Sequence, residues 1–170
     1  PAYMSPEQAA GKDVGPQSDI FSLGVVAYEV LGQQKPFAGK SYSEVLEKIQ
    51  TFEPVPVTNV NPLVQPRFEQ IVSRMLEKDE EKRYQSISEA ISDIEKAMEK
   101  YRITRDRRRL ATYISDPETY EKAFREKTIS RSLSQGAFYM KKGESHFDDA
   151  ILEFKRILYL DPDNERAKKN

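Results

Sequence analysis

Apolar positions recur at helical spacing along most of this chain, and no stretch shows the alternation of a strand. The segment 18–31 is apolar on nearly every face and ends at Gly32, which predicts a helix buried on all sides. Shorter amphipathic patterns predict helices at residues 42–50, 68–76 and 87–101. The four prolines in residues 52–66 predict an extended connection. The pattern therefore predicts an all-α or nearly all-α fold.

The composition changes along the chain. Eight of the ten prolines lie in the first 66 residues, whereas the later sequence is one helical pattern after another. Residues 1–100 carry 11 basic and 16 acidic side chains, a net charge of −5, and residues 101–170 carry 16 basic and 12 acidic ones, a net charge of +4. We therefore expect a domain boundary near residue 100.

The absence of cysteine and the single histidine exclude several kinds of chemistry. The chain can form no disulfide and no cysteine or multi-histidine metal site, so no metal is expected. The net charge of −1 gives no general attraction to nucleic acid, and no apolar run is long enough for a membrane segment. With no signal peptide, a cytoplasmic location is expected. Because the chain begins with Pro1 and not with methionine, we also expect a piece of a longer protein.

Four short motifs in the first hundred residues carry the strongest functional signal. They are Tyr3-Met4-Ser5-Pro6-Glu7, Asp19-Ile20-Phe21-Ser22-Leu23-Gly24, Lys35-Pro36-Phe37 and Asp79-Glu80-Glu81-Lys82-Arg83-Tyr84. In this order and spacing they resemble the large lobe of a protein kinase, and the first is similar to the Ala-Pro-Glu signature of that family. The first two are most similar to bacterial serine/threonine kinases. The resemblance covers residues 1–100 and implies a partial kinase large lobe.

The resemblance implies roles for particular residues. Glu7 and Arg83 would form a buried ion pair that ties the substrate-facing loop to the helical lobe. Asp19 would cap the long helix and receive hydrogen bonds from the catalytic loop, as a structural anchor. The groove for a protein substrate would be lined by Pro1, Ala2, Tyr3 and Met4. A loop that only packs on the core would use the same four residues.

The groups that transfer phosphate are absent from this sequence. Phosphoryl transfer in the family needs a glycine-rich loop, an Asp-Phe-Gly motif and a His-Arg-Asp motif, and none occurs. Thr104-Arg105-Asp106 is rejected as a catalytic loop, because it follows the Ser-Pro-Glu motif and has Arg108 and Ala111 where lysine and asparagine are required. We therefore predict no catalytic residue and no cofactor in this chain.

The resemblance implies that ATP and Mg²⁺ are bound by the intact parent, which would phosphorylate serine or threonine in proteins during signalling. This chain would supply the substrate-side scaffold and a repeat for partner binding. A non-catalytic, kinase-like scaffold that mediates protein interactions is the alternative. Intact Glu7, Asp19 and Arg83 favour the active kinase, although a scaffold could also retain them.

The sequence after residue 100 begins with a basic stretch. Five arginines lie within residues 102–109. We favour a solvated linker helix whose arginines pair with the acidic first domain, and a phosphate-binding or membrane-surface patch is the alternative. Two short amphipathic helices are expected on either side of the break at Asp116-Pro117.

From Ser132 onward the pattern resembles a tetratricopeptide repeat. Its signature residues are Gly136, Tyr139, Gly143, Phe147, Ala150, Phe154 and Pro162. The resemblance implies a helical hairpin that binds a protein or peptide partner, and a generic hairpin is the alternative. His146 lies in the turn and is expected to be exposed to solvent. The predicted organisation is a kinase-lobe segment at 1–100, a helical linker at 101–130, and one repeat with the start of a second at 131–170.

Overall fold

The computed structural model describes residues 1–169, which form ten α-helices, one 3₁₀ turn and no strand. The predicted all-α fold class is therefore confirmed. The helices are α1 (Pro6–Ala9), α2 (Pro16–Gly32), α3 (Tyr42–Thr51), α4 (Val57–Val60), α5 (Pro66–Met75), α6 (Ile87–Lys100), α7 (Arg107–Ser115), α8 (Pro117–Lys142), α9 (Phe147–Leu160) and α10 (Glu165–Lys168), with the 3₁₀ turn at Glu144–His146. The chain divides into two compact units, Pro1–Ile103 and a second from Thr104 onward.

The long helix α2 is the centre of the first unit. Pro16 occupies its first turn, where no amide hydrogen is needed, and Gln33 ends it in the left-handed conformation. One side of α2 is buried, but the expectation of burial on all sides is wrong for this chain. The described residues pack on only part of the helix, and they leave three apolar side chains 43–64% exposed: Leu23, Val26 and Val30.

The close packing of α2 against α5 depends on a glycine. A Cβ atom added at Gly24 would lie 2.7 Å from Cβ of Met75 and 3.3 Å from its backbone carbonyl carbon. Only glycine therefore permits this approach of the two helices. The resulting core extends from α2 to α6, where Ala90 and Ala97 are completely buried or nearly so.

The proline-rich connection at residues 52–66 contains one turn of helix that the sequence pattern did not predict. This turn is α4, and hydrogen bonds to residues of α5 and α2 stabilise it. Both the amide and the hydroxyl of Thr58 donate to Glu69 in α5, and Asn61 Nδ2 donates to the Leu31 carbonyl at 2.8 Å. These partners lie 11 to 30 residues away, so local propensity carries no sign of them.

The second unit is a helical hairpin of α8 and α9, extended by α10. The break at Asp116-Pro117 occurs as predicted, but the helix that follows is not short, because no further proline interrupts it and it continues through Gly136 to Lys142. The predicted boundary between a linker ending at residue 130 and a repeat beginning at 131 therefore falls inside α8. Among residues 1–169, no helix has both the length and the apolar character needed to cross a membrane.

Candidate functional site

Glu7 lies on the short helix α1, whose N-terminus is capped by two hydrogen bonds. Ser5 Oγ accepts a hydrogen bond from the Gln8 amide at 3.3 Å, and Gln8 Oε1 accepts one from the Ser5 amide at 2.9 Å. This capping box, with Pro6 at the start of the helix, stabilises a single helical turn. The turn directs Glu7 inward, where only 5% of the residue is exposed.

The Glu7 carboxylate pairs with Arg83 through two parallel hydrogen bonds. Arg83 Nη1 lies 2.8 Å from Glu7 Oε1, and Arg83 Nη2 lies 2.8 Å from Glu7 Oε2. The remaining N–H groups donate to three backbone carbonyls, those of Glu77 at 2.6 Å, Gln17 at 3.2 Å and Lys78 at 3.0 Å. All five donors of the guanidinium are therefore used, and Arg83 is fully buried.

A serine completes this buried cluster. Ser18 Oγ donates to Glu7 Oε1 at 2.5 Å. Burial acts to raise the pKa of Glu7, but the hydrogen bonds from Arg83 and Ser18 outweigh it and lower the pKa from 4.5 to about 2. Glu7 is therefore ionised at neutral pH, and the cluster fastens α1 to the start of α2 and to the segment before Arg83.

Lys78 lies beside this cluster in an apolar setting. Its ammonium nitrogen is 3.8 Å from the centre of the Phe37 ring, which stacks on Phe21 with centroids 5.8 Å apart. The nitrogen is buried and has no hydrogen-bond partner among residues 1–169. Burial lowers the pKa of Lys78 from 10.5 to about 8, although Glu53 acts in the opposite direction. The cation–π contact with Phe37 and the negative charge of Glu53 both favour the ammonium form.

The predicted groove residues form one turn against α2. The Met4 amide donates to the Pro1 carbonyl at 2.9 Å, and the Tyr3 carbonyl accepts from Ser22 Oγ at 2.7 Å. Tyr3 Oη donates to Glu29 at 2.7 Å, and the residue remains 43% exposed. Ala2 is half-buried and Pro1 is exposed. The structure thus brings Pro1, Ala2, Tyr3 and Met4 into one turn, in which Met4 packs against the core. Their role toward a substrate stays a prediction.

Asp19 does not cap α2. The helix begins at Pro16 after an N-cap at Gly15, so Asp19 is the fourth residue of the helix and lies beyond the cap position. Its carboxylate is exposed and makes no hydrogen bond within residues 1–169. The capping role predicted for it is therefore wrong, whereas its predicted bond to a catalytic loop concerns residues outside this sequence.

The predicted repeat residues lie at the hairpin. Gly136 in α8 faces Phe154 in α9, and Ala150 is completely buried. Gly143 ends α8 with a φ of 94°, which favours glycine. Tyr139 stacks on His146 with ring centroids 6.1 Å apart, so this histidine is half-buried and not exposed as expected. Phe147 is 40% exposed and Pro162 lies in the turn after α9.

The sequence reasoning missed a second buried polar cluster, in the hairpin. Ser132 Oγ donates to Glu153 at 2.7 Å, and Arg156 forms an ion pair with the same carboxylate. All three residues are at most 7% exposed. The available signal was that Glu153 falls within the apolar stripe of Ala150, Phe154 and Ile157, where an isolated charge needs a partner.

Comparison with known proteins assigns the first unit to a family. The protein kinase domain family matches residues 1–97, so the chain belongs to the protein kinase family. It is 38% identical over 92 residues to the serine/threonine-protein kinase PknB of Mycolicibacterium smegmatis, covering 54% of this chain and 15% of that protein. It is also 38% identical over 88 residues to the serine/threonine-protein kinase Pkn1 of Myxococcus xanthus, covering 52% of this chain and 13% of that protein.

A solved structure agrees with this assignment. The twitchin kinase region from C. elegans is similar with a TM-score of 0.51 and 25% identity, over 54% of this chain and 16% of that one. The predicted similarity to bacterial serine/threonine kinases is thus confirmed for the first unit. The chain spans only about 15% of the length of the curated relatives it matches. The tetratricopeptide-like nature of the second unit stays a prediction.

Proposed function

We propose that Pro1–Ile103 is the substrate-side part of the large lobe of a serine/threonine protein kinase, and that the intact parent phosphorylates serine or threonine in proteins. The bidentate pair of Glu7 and Arg83 carries this proposal. It joins the four residues of the groove wall to the helical core through a buried, fully hydrogen-bonded contact, as a platform for a substrate requires. The relatives named as serine/threonine kinases support the same conclusion.

In this role the residues of the chain position a substrate and take no part in bond making. Hydrogen bonds from Tyr3 to Glu29 and from Ser22 to the Tyr3 carbonyl hold the turn in place without a ligand. A wall that is already ordered lowers the entropic cost of binding a flexible protein segment. The exposed ring of Tyr3 offers that segment an apolar surface.

ATP and Mg²⁺ do not fit the residues of this chain. The sequence lacks the motifs that hold the nucleotide, and residues 1–169 contain no group of acidic or histidine side chains that could hold a metal ion. We therefore assign the binding of both to other residues of the parent.

The exposed stripe on α2 supports the existence of such a missing part. Asp19, Leu23, Val26 and Val30 are spaced by four, three and four residues, so they share one helix face. Three exposed apolar residues and a carboxylate without a partner suit a contact with folded protein. We assign this face to the part of the kinase lobe that precedes Pro1.

We also propose that the hairpin of α8 and α9 binds a protein or peptide partner. Phe147 and Ile151 lie one turn apart on α9 and are 40% and 48% exposed. These two residues form an exposed apolar surface beside the packed core of the hairpin. This surface supports the proposal that the repeat binds an apolar side chain of a partner.

The test uses the proposed parent protein, in which the segment before Pro1 is present in the same polypeptide. Purified protein is incubated with Mg²⁺, radiolabelled ATP and a generic protein substrate, and phosphoamino acids are separated. We expect label on serine or threonine. Tyr3→Ala should raise the KM for the protein substrate and leave the KM for ATP unchanged, with the exposed Tyr42→Ala as a matched control. A folded protein that transfers no phosphate would refute the active kinase and favour the non-catalytic scaffold.

A further inference from the structure

The helix α7 exposes a combination of charge and apolar surface that the kinase proposal does not explain. It begins with three consecutive arginines, Arg107 to Arg109, and none of its residues is buried. Leu110 is 60% exposed and Ile114 is 68% exposed, which are high values for aliphatic side chains in a helix packed on its neighbours.

The apolar residues of α7 form one stripe with arginine on both sides. At 100° per residue, Tyr113, Leu110 and Ile114 occupy about 100° of the helix circumference. Arg109 lies about 40° beyond Tyr113 on one edge, and Arg107 lies about 20° beyond Ile114 on the other. The helix is therefore amphipathic, and Arg107 and Arg109 border its apolar face, whereas Arg108 lies on the opposite side.

The three arginines have no acidic partner within their own unit. No ion pair joins Arg107, Arg108 or Arg109 to a carboxylate among residues 104–169. The neighbouring Asp106 uses its carboxylate as the cap of α7, where it accepts the Arg108 amide at 2.9 Å. Three positive charges are therefore available to an external anion.

We propose that α7 binds the surface of an anionic lipid bilayer. Arg107 and Arg109 would contact lipid phosphates, while Leu110 and Ile114 enter the boundary between headgroups and acyl chains, and Arg108 would add only longer-range attraction. A nucleic acid or an acidic protein surface would satisfy the charges but leave the apolar stripe in water, whereas a bilayer surface satisfies both. With nine residues, α7 is about 14 Å long, so it would lie on the membrane and not cross it. This proposal is independent of kinase activity.

Vesicle sedimentation with the full chain tests the charge. We expect binding to vesicles of phosphatidylcholine with 30 mol% phosphatidylglycerol, no binding to pure phosphatidylcholine, and weaker binding as salt rises. Replacing Arg107, Arg108 and Arg109 with Gln should weaken binding on the order of a hundredfold. The matched control replaces three exposed lysines of the same unit with Gln: Lys141, Lys142 and Lys155. Equal loss in the control, or no binding by the unchanged chain, overturns the proposal.

A tryptophan placed on the stripe tests insertion directly. The chain contains no tryptophan, so a single Ile114→Trp variant reports only on α7. Its emission should shift to shorter wavelength with anionic vesicles and stay unchanged with duplex DNA. Phe138→Trp, at a site 54% exposed in α8, should not shift. Two results would contradict a bilayer as the ligand and leave a general polyanion site. One is vesicle binding without any shift of the Ile114→Trp emission. The other is full vesicle binding by a Leu110→Ser/Ile114→Ser variant.

Discussion

Replacing Glu7 with Gln removes the negative charge of the buried pair and keeps the size of the side chain. Arg83 then retains its three carbonyl acceptors but loses the carboxylate that neutralises it. The Arg83 side chain has no exposed surface, so water cannot replace the lost partner. The variant therefore leaves a buried, uncompensated positive charge, which is the costly way to break such a pair.

Two independent estimates give the size of the effect. Removing one partner of a buried ion pair costs about 3–5 kcal/mol in general. The lowering of the Glu7 pKa from 4.5 to about 2 corresponds to roughly 3 kcal/mol of folding stability. We therefore expect Glu7→Gln to lower the free energy of unfolding of the first unit by about 3 kcal/mol at pH 7.

The pKa also predicts how this difference depends on pH. Because the folded protein holds the Glu7 pKa below its ordinary value, the stabilisation is complete above about pH 4.5 and is lost as the pH falls toward 2. The difference between the original chain and Glu7→Gln should therefore shrink over this interval. The stability of both should be compared at pH 7, 5 and 3.

The assay is urea-dependent hydrogen exchange of peptides from α2, which reports on the first unit alone. Glu80→Gln makes the same chemical change at an exposed site and should alter stability by less than about 0.5 kcal/mol. Arg83→Glu should also destabilise the unit, and adding Glu7→Arg should restore part of the loss. A Glu7→Gln variant as stable as Glu80→Gln, or a double variant without rescue, would refute the energetic role of the pair.

Three further predictions concern other sites. Lys78→Met should stabilise the first unit by about 1–2 kcal/mol at pH 7, since it removes a buried ammonium. This gain should shrink from pH 8 toward 10.5 as Lys78 loses its proton. The exposed Lys82→Met is the control. Gly136→Ala should destabilise the hairpin by about 1–3 kcal/mol in urea unfolding, because the new Cβ would lie 2.8 Å from the Phe154 ring, whereas Ser134→Ala should not. Mg²⁺ and ATP should leave the melting temperature of the isolated chain unchanged, and a rise of several degrees would mean that the chain holds a nucleotide site.

The helices and the principal ion pair were both predictable, for different reasons. Helix positions follow from local spacing of apolar residues and from breaks such as Asp116-Pro117. Glu7 and Arg83 are 76 residues apart, so only the resemblance to a family linked them in advance. The boundary predicted at residue 130 falls inside α8, because the repeat pattern begins in the middle of an uninterrupted helix.

Burial of individual charges was not predictable in the same way. The sequence places Lys78 in a charged stretch, yet folding encloses its ammonium against Phe37, which comes 41 positions earlier. The cluster of Ser132, Glu153 and Arg156 likewise forms only when α8 and α9 pack together. In the opposite direction, Asp19 is exposed although it stands near the start of a long apolar helix.

The sequence by itself determined the all-helical character of this protein, the approximate limits of four helices in the first unit and, through four motifs, its kinase family. These properties depend on neighbouring residues or on patterns preserved along the chain. The tertiary structure alone decided which charges are enclosed, which face of α2 remains uncovered and how Arg83 uses all five of its donors. The reason is physical: a side chain's dielectric surroundings and partners depend on segments that are distant in sequence and meet only when the chain folds.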